Sequence, residues 1–257
     1  MSALPKKSLG QHFLVDENIL GVIGRLADLH PEDIVLEVGP GLGVLTRYLA
    51  DRVRLVHAIE LDRSLAEPLA DALAGRENVR LVFGDALQLD LAALDPPPGK
   101  LVANLPYNIA TPLVVESLEG LASLERWCVM VQREVADRLF ASPRTKAYGA
   151  VSVLVQLHAR KVGFHAVPPT VFRPRPRVES ALVAFVRLPG PRLGEVRPVV
   201  EAAFAHRRKT LVNSVVLSGL ATRARAEAAL SSIGKSPRVR AEELAPEEFV
   251  ALAKAIA

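Results

Sequence analysis

The stretch best equipped for chemistry is Asn104-Leu105-Pro106-Tyr107. The residues before it, Lys100 to Ala103, read as a short buried strand. Pro106 lacks an amide hydrogen and restricts Leu105 to extended conformations, so the strand ends in a turn. Asn104 and Tyr107 then stand at the carboxyl end of a strand, where open α/β sheets bind ligands. An amide oxygen, a turn carbonyl (Leu105 or Pro106) and an aromatic ring suit a planar base that carries an exocyclic amine. The oxygens accept from the amine while the ring stacks on the base. Taken alone, these four residues fit an ordinary strand-ending turn equally well.

A second constellation precedes them. Glu37-x-Gly39-x-Gly41-x-Gly43 follows an apolar strand and opens a helix, which marks close backbone approach to a ligand. The spacing is not that of the pyrophosphate-binding G-x-G-x-x-G loop, and Glu37 would repel a pyrophosphate while suiting a cationic ligand. Glu60 closes the next strand, where a carboxylate takes a pair of ribose hydroxyls. Asp85, in Gly84-Asp85-Ala86 after the third strand, can accept from an adenine amine. Ribose, adenine and a positively charged tail without phosphates describe S-adenosylmethionine.

The elements that must position these groups follow from periodicity. Strands are expected at Ile34 to Val38, Arg54 to Ile59, Val79 to Phe83, Lys100 to Ala103 and Arg126 to Val131, with helical patterns between them. Such alternation implies an α/β fold, a Rossmann-like, doubly wound and mostly parallel sheet with helices on both faces. A helix over Ala147 to His158 and strands near Lys161 to Ala166 and Ala181 to Leu188 follow. Val167 to Arg177 is too rich in proline for regular structure. Leu188-Pro189-Gly190-Pro191 is the expected domain boundary, beyond which every pattern is helical. The expectation is a domain of residues 1–188 and a small all-helical domain of residues 189–257.

Composition narrows the class. The net charge is +4, and the arginines are clustered, which permits a nucleic-acid partner without requiring one. The lone cysteine, Cys128, lies in an apolar run, so no internal disulfide is possible and a reducing cytoplasm is expected. No apolar run reaches the length of a membrane span, and no signal-peptide core opens the chain.

The chain resembles the small-subunit ribosomal RNA adenine dimethyltransferases. The resemblance rests on Gln11-His12-Phe13-Leu14, Glu37 to Thr46 (EVGPGLGVLT), Ile59-Glu60-Leu61-Asp62, Gly84-Asp85-Ala86 and Asn104 to Ile109 (NLPYNI). It continues through Gln132-Arg133-Glu134-Val135, Lys146-Ala147-Tyr148-Gly149, Phe172-x-Pro174-x-Pro176-x-Val178-x-Ser180-Ala181 and Phe204-x-x-Arg207-Arg208-Lys209-Thr210-Leu211. It implies a class I methyltransferase domain followed by a helical RNA-recognition domain. It also implies transfer of methyl groups from S-adenosylmethionine, without a metal, to the N6 amines of two adjacent adenosines in the 3′ hairpin of 16S rRNA. The partner is then 16S rRNA within the small ribosomal subunit or its precursor, the product cofactor is S-adenosylhomocysteine, and a monomer is expected. Positions matching His12, Leu14, Gly39, Glu60, Asp85 and Asn104 hold the cofactor in the family, with Gln11, Gly41, Leu61 and Ala86 beside them. Histidine at position 12 replaces a commoner asparagine, and arginines replace lysine or small residues in the Phe172 loop.

Two further assignments are expectations. Phe172, on a proline-stiffened loop, is expected to face Tyr107 across an adenine slot, or else to anchor its loop in the core. Arg207, Arg208 and Lys209, with Lys235, Arg238 and Arg240, are expected to grip the rRNA backbone, with Phe204 and Leu211 anchoring the cluster at helical spacing. Rival readings are a 23S-directed resistance methylase, a non-catalytic rRNA-binding assembly factor, and a small-molecule or protein methyltransferase.

Overall fold

A computed structural model describes residues 12–256; Gln11 lies outside them. The chain forms two compact units. The first comprises residues 1–136 and 160–187, and the second residues 137–159 and 188–257. The break expected after Leu188 is therefore one of three crossings, because residues 137–159 join the helical unit. The physical reason lies in Tyr148. Its ring is fully buried edge-on to Phe204 at 5.9 Å, and its hydroxyl donates to the Leu244 carbonyl at 2.8 Å.

In the first unit the elements run β1 (Phe13–Leu14), α1 (Glu17–Ala27), β2 (Ile34–Val38), α2 (Val44–Ala50), β3 (Leu55–Glu60), α3 (Ala66–Ala72) and β4 (Val79–Phe83). Next come β5 (Lys100–Asn104), α4 (Ala110–Gly120), β6 (Arg126–Gln132) and the start of α5 (Arg133–Leu139). A seven-stranded sheet has the order β4-β3-β2-β5-β6, then β9 (Ser180–Arg187) and β7 (Ala159–Val167). The five strands from β4 to β6 are parallel, and β9 runs antiparallel to β6.

The central strands are continuous apolar runs because helices cover both faces of a parallel sheet. Every residue of β3 is buried. Trp127 of β6 stacks on Phe185 of β9 at 5.2 Å, and its indole N–H donates to Ser117 of α4 at 2.9 Å. The sheet thereby gains aromatic packing without stranding a buried donor.

The loop expected to be irregular is partly ordered as a strand. β8 (Phe172–Arg173) pairs antiparallel with β1, with Leu14 opposite Phe172. This small two-stranded ribbon ties the start of the described chain to the loop between β7 and β9.

The second unit holds α6 (Ala150–Gln156), α7 (Leu193–Phe204), α8 (Leu211–Leu217), α9 (Arg223–Ser232) and α10 (Pro246–Ile256). The helix expected from Ala147 starts at Ala150, because Tyr148 is held in a turn by its bond to Thr145. No helix among the described residues is long and apolar enough to cross a membrane.

Candidate active site

A cleft with about 1140 Å³ of empty space, open solvent at its mouth included, lies at the carboxyl ends of β2, β3, β4 and β5. Its floor is the glycine loop. Gly39 and Gly41 have φ of +79° and +60°, in the left-handed region that side chains disfavour. Space forbids a side chain as well. A Cβ on Gly39 would come within 3.1 Å of the Pro106 ring, and one on Gly41 within 2.9 Å of Phe13. The glycine loop and the Asn104 turn are thus in contact, and both depend on the absence of a methyl group.

Two carboxylates line this cleft in different states. Glu60 is 5% exposed, and its oxygens accept from the amides of Gly41 at 3.1 Å and Asp62 at 2.8 Å. Burial raises its pKa, while these amide bonds oppose the rise. Among the described residues Glu37 accepts from no main-chain amide. It is 1% exposed, and burial pushes its pKa to about 8, with the Thr46 hydroxyl beside it lowering the value and the Glu60 charge raising it. Its Oε2 and the neighbouring Thr46 hydroxyl have no hydrogen-bond partner among the described residues. A buried carboxyl with one oxygen unpartnered among the described residues ionises more readily beside a ligand that carries positive charge.

At the opposite wall, the Asn104 side-chain amide donates to the His12 carbonyl at 3.0 Å. Its Oδ1 therefore remains as an acceptor. Of the two turn carbonyls, Pro106 already accepts from the Ile109 amide at 3.1 Å, which leaves Leu105 as the one without a partner among the described residues. The Tyr107 hydroxyl meets the Ser180 hydroxyl at 2.6 Å, and its ring lies 5.4 Å from the His12 ring at a 32° tilt. The His12 ring nitrogen Nδ1 is 2.8 Å from the Pro174 carbonyl. On the far side of the cleft Asp85 accepts from the Leu87 amide at 3.0 Å, Ala86 is buried, and Leu61 is half exposed at the edge.

The structure thus brings His12, Leu14, Gly39, Gly41, Glu60, Leu61, Asp85, Ala86, Asn104, Leu105, Pro106 and Tyr107 to one cleft. Phe172 is not among the lining residues. Its side chain is 1% exposed in the core with Leu14 and Val171, and it meets the edge of His12 at 6.5 Å. As the chain stands, the ring next to Tyr107 is His12, and Phe172 takes the anchoring alternative because its pairing with Leu14 turns it inward. Sequence reasoning overlooked the Ser180 contact and the lining by Asn108 and Ile109. No local signal could reveal Ser180, which lies 73 positions from Tyr107.

In the second unit the cationic residues separate into two groups. Arg207 donates to the main-chain carbonyls of Lys146 at 3.0 Å and Tyr148 at 3.4 Å, and Lys235 pairs with Glu248 at 2.6 Å. Arg208, Lys209 and Arg238 are exposed, and no side-chain hydrogen bond or ion pair holds them among the described residues. A Leu211 amide bond to the Val239 carbonyl, at 2.8 Å, brings the two segments together, with Arg240 next along the chain. The cluster lies in the α7–α8 connection rather than on a helix face. Among the described residues no group of three or more His, Cys, Asp or Glu side chains is placed to hold a metal ion.

Comparison with known proteins agrees with this arrangement. The chain is 51% identical over 255 residues to the ribosomal RNA small subunit methyltransferase A of Rubrobacter xylanophilus, across 98% of this chain and 95% of that protein. It is 42% identical over 269 residues to the protein of the same name from Moorella thermoacetica, across 98% and 93% of the two chains. Among solved structures, the 23S rRNA methyltransferase ErmE is similar, with a TM-score of 0.67, 30% identity, and coverage of 95% of this chain and 99% of that one. A dimethyladenosine transferase from Plasmodium falciparum shares the fold, with a TM-score of 0.76, 24% identity, and coverage of 94% and 96%. Residues 3–257 match the ribosomal RNA adenine dimethylase family. With a Rossmann-like sheet, a glycine-floored cleft and an amide-bearing turn above it, the chain belongs to that family.

Proposed function

We propose that this chain transfers methyl groups from S-adenosylmethionine to the N6 amines of two adjacent adenosines in the 3′-terminal hairpin of 16S rRNA, giving dimethyladenosines during small-subunit assembly in the cytoplasm. The observation that carries this reading is the Asn104 amide, whose nitrogen is spent on the His12 carbonyl so that Oδ1 faces substrate as an acceptor. The names of the 51% and 42% identical relatives favour the small subunit over the 23S rRNA named for the 30% identical structure.

The residues present fit the cofactor. The glycine loop brings bare main chain to the cleft wall, Glu60 and Asp85 offer acceptors for ribose and adenine, and the unpartnered Glu37 oxygen suits a positive charge. S-adenosylmethionine, when bound, supplies a methyl group already activated by the sulfonium.

The chain's own work is then positioning. Adenine's exocyclic nitrogen is a poor nucleophile because its lone pair is delocalised into the ring. Asn104 Oδ1 and the Leu105 carbonyl accept both amine hydrogens and draw that nitrogen toward tetrahedral geometry. Its lone pair is freed for in-line displacement, and one such preorganised contact contributes about 3 kcal/mol to the transition state. No strong base is needed, since the protonated product amine gives its proton to water. Tyr107 stacks on the base, and Arg208, Lys209, Arg238 and Arg240 lie against rRNA phosphates, with Arg207 and Lys235 supporting them from within the unit.

Incubation of unmodified small subunits with labelled cofactor, followed by mapping of the labelled nucleotides, tests this. Dimethylation of two adjacent adenosines near the 3′ end of 16S rRNA is expected. Label confined to 23S rRNA, or none at all, would overturn the reading.

A further inference from the structure

Among the described residues the Tyr107 hydroxyl has one polar contact, the Ser180 hydroxyl at 2.6 Å, where either group can donate. Ser180 is fully buried, and it opens β9 directly opposite Gln132, the last residue of β6. Its position is therefore set by two strands of the main sheet rather than by a loop. It is not among the residues that line the cleft.

A tyrosine ring on a turn can leave its place by rotation about the Cα–Cβ bond, which carries the hydroxyl with it, and can tilt about the Cβ–Cγ axis, on which the hydroxyl oxygen lies. Here the tip of the ring is tied to the sheet, and the His12 ring lies against it at 5.4 Å. His12 is itself held at Nδ1 by the Pro174 carbonyl, in the same segment that ends at Ser180. A ring fixed at its tip and along one side presents a single plane to the cleft. Stacking depends on that plane, and so does the alignment of a stacked amine with Asn104 Oδ1.

We propose that Ser180 is a positioning residue for methyl transfer, acting only through the Tyr107 hydroxyl to hold in place the ring on which the target base stacks, while His12 sets its tilt. This rests on the base-methylation reading above. Its chemistry is distinct from simple core packing, because a packing role would not require the phenolic oxygen.

The test is a double-mutant cycle with Ser180→Ala, Tyr107→Phe and the pair, assayed on unmodified small subunits with labelled cofactor. Each single variant is expected to lower kcat about fivefold to tenfold, the scale of one lost orienting hydrogen bond, with the cofactor Kd unchanged. The double variant is expected to match either single, because each removes the same contact. Falls that multiply in the double variant, or Ser180→Ala turning over at the wild-type rate, would overturn the role. Should Ser180→Ala prove too unstable to assay, Tyr107→Phe decides alone: a lowered kcat with intact cofactor Kd supports the proposal, and an unchanged kcat overturns it. An inactive wild type would overturn the methylation reading itself, whereas multiplicative falls in an active wild type remove only Ser180.

Discussion

The cleft of the first unit and the cationic segment of the second recruit their residues in opposite ways. Around the cleft the main chain orients three of the polar side chains: Asn104 through the His12 carbonyl, Glu60 through two amides, Asp85 through the Leu87 amide. Asn104 and Asp85 each keep one side-chain oxygen unengaged among the described residues, and the Glu60 oxygens, each holding one amide, retain lone pairs for a ligand. In the cationic segment, Arg208, Lys209 and Arg238 present whole side chains to solvent, while Arg207 and Lys235 are absorbed by their own unit. Orientation is thus built in at the cleft, whereas charge alone is offered at the segment. Single substitutions should be severe at the first and graded at the second.

The largest effect should come from Asn104→Ala, which removes an acceptor whose partner bond already holds it in place. The single-turnover rate is expected to fall about 100-fold or more. A fall of less than tenfold would make the amide a scaffold of its turn and erase the contrast between the two regions.

Phe172→Ala sharpens the comparison inside the first unit. A buried phenylalanine cut to alanine costs about 3–5 kcal/mol, so chemical denaturation should reveal a large loss of stability. Unaltered stability with lowered turnover on RNA would instead return Phe172 to the slot wall that its loop first suggested.

Glu37 gives the contrast a pH signature. Its folded pKa of about 8 lies above the ordinary glutamate value of 4.5. Stability linked to it is therefore fully present below about 4.5 and is lost as pH rises through 8. Glu37→Gln should flatten that decline in melting temperature. Because a cationic ligand favours the ionised carboxylate, wild-type affinity for S-adenosylmethionine should rise with pH toward 8, and the variant should lose that dependence as read by calorimetry.

The smallest effects belong to the second unit. Arg208→Gln and Lys209→Gln should each flatten the slope of log affinity against log salt by about 0.7–0.9 if each neutralises one phosphate. Arg207→Gln should leave the slope alone and cost about 0.5–1.5 kcal/mol of stability, since its hydrogen bonds are internal. Equal slopes for all three variants would dissolve the division within the cluster.

Local patterns made much of this legible. Ile34–Val38 and Val79–Phe83 form the expected strands residue for residue, because an apolar run bounded by turn residues carries its own limits. The glycine loop, Glu60, Asp85 and the Asn104 turn were readable because each sits at the end of a strand and the fold converges strand ends. The Phe172 loop was not legible. Its two-residue pairing is decided by a partner more than a hundred positions away, and a run of prolines hides so short a strand. The fate of Arg207 was equally hidden, since an arginine that caps distant carbonyls looks the same in sequence as one that awaits a phosphate.

The contact between Asn104 and His12 spans 92 positions, and that between His12 and Pro174 spans 162. These separations set an order of assembly during synthesis. The segments that floor the cleft, from Glu37 to Asp85, have left the ribosome long before Pro174 and Ser180 are made. A nascent chain can thus own its glycine loop and both carboxylates while its amide and tyrosine still lack their guides. The contacts that hold the His12 and Tyr107 rings therefore close only when the last strand of the sheet is in place.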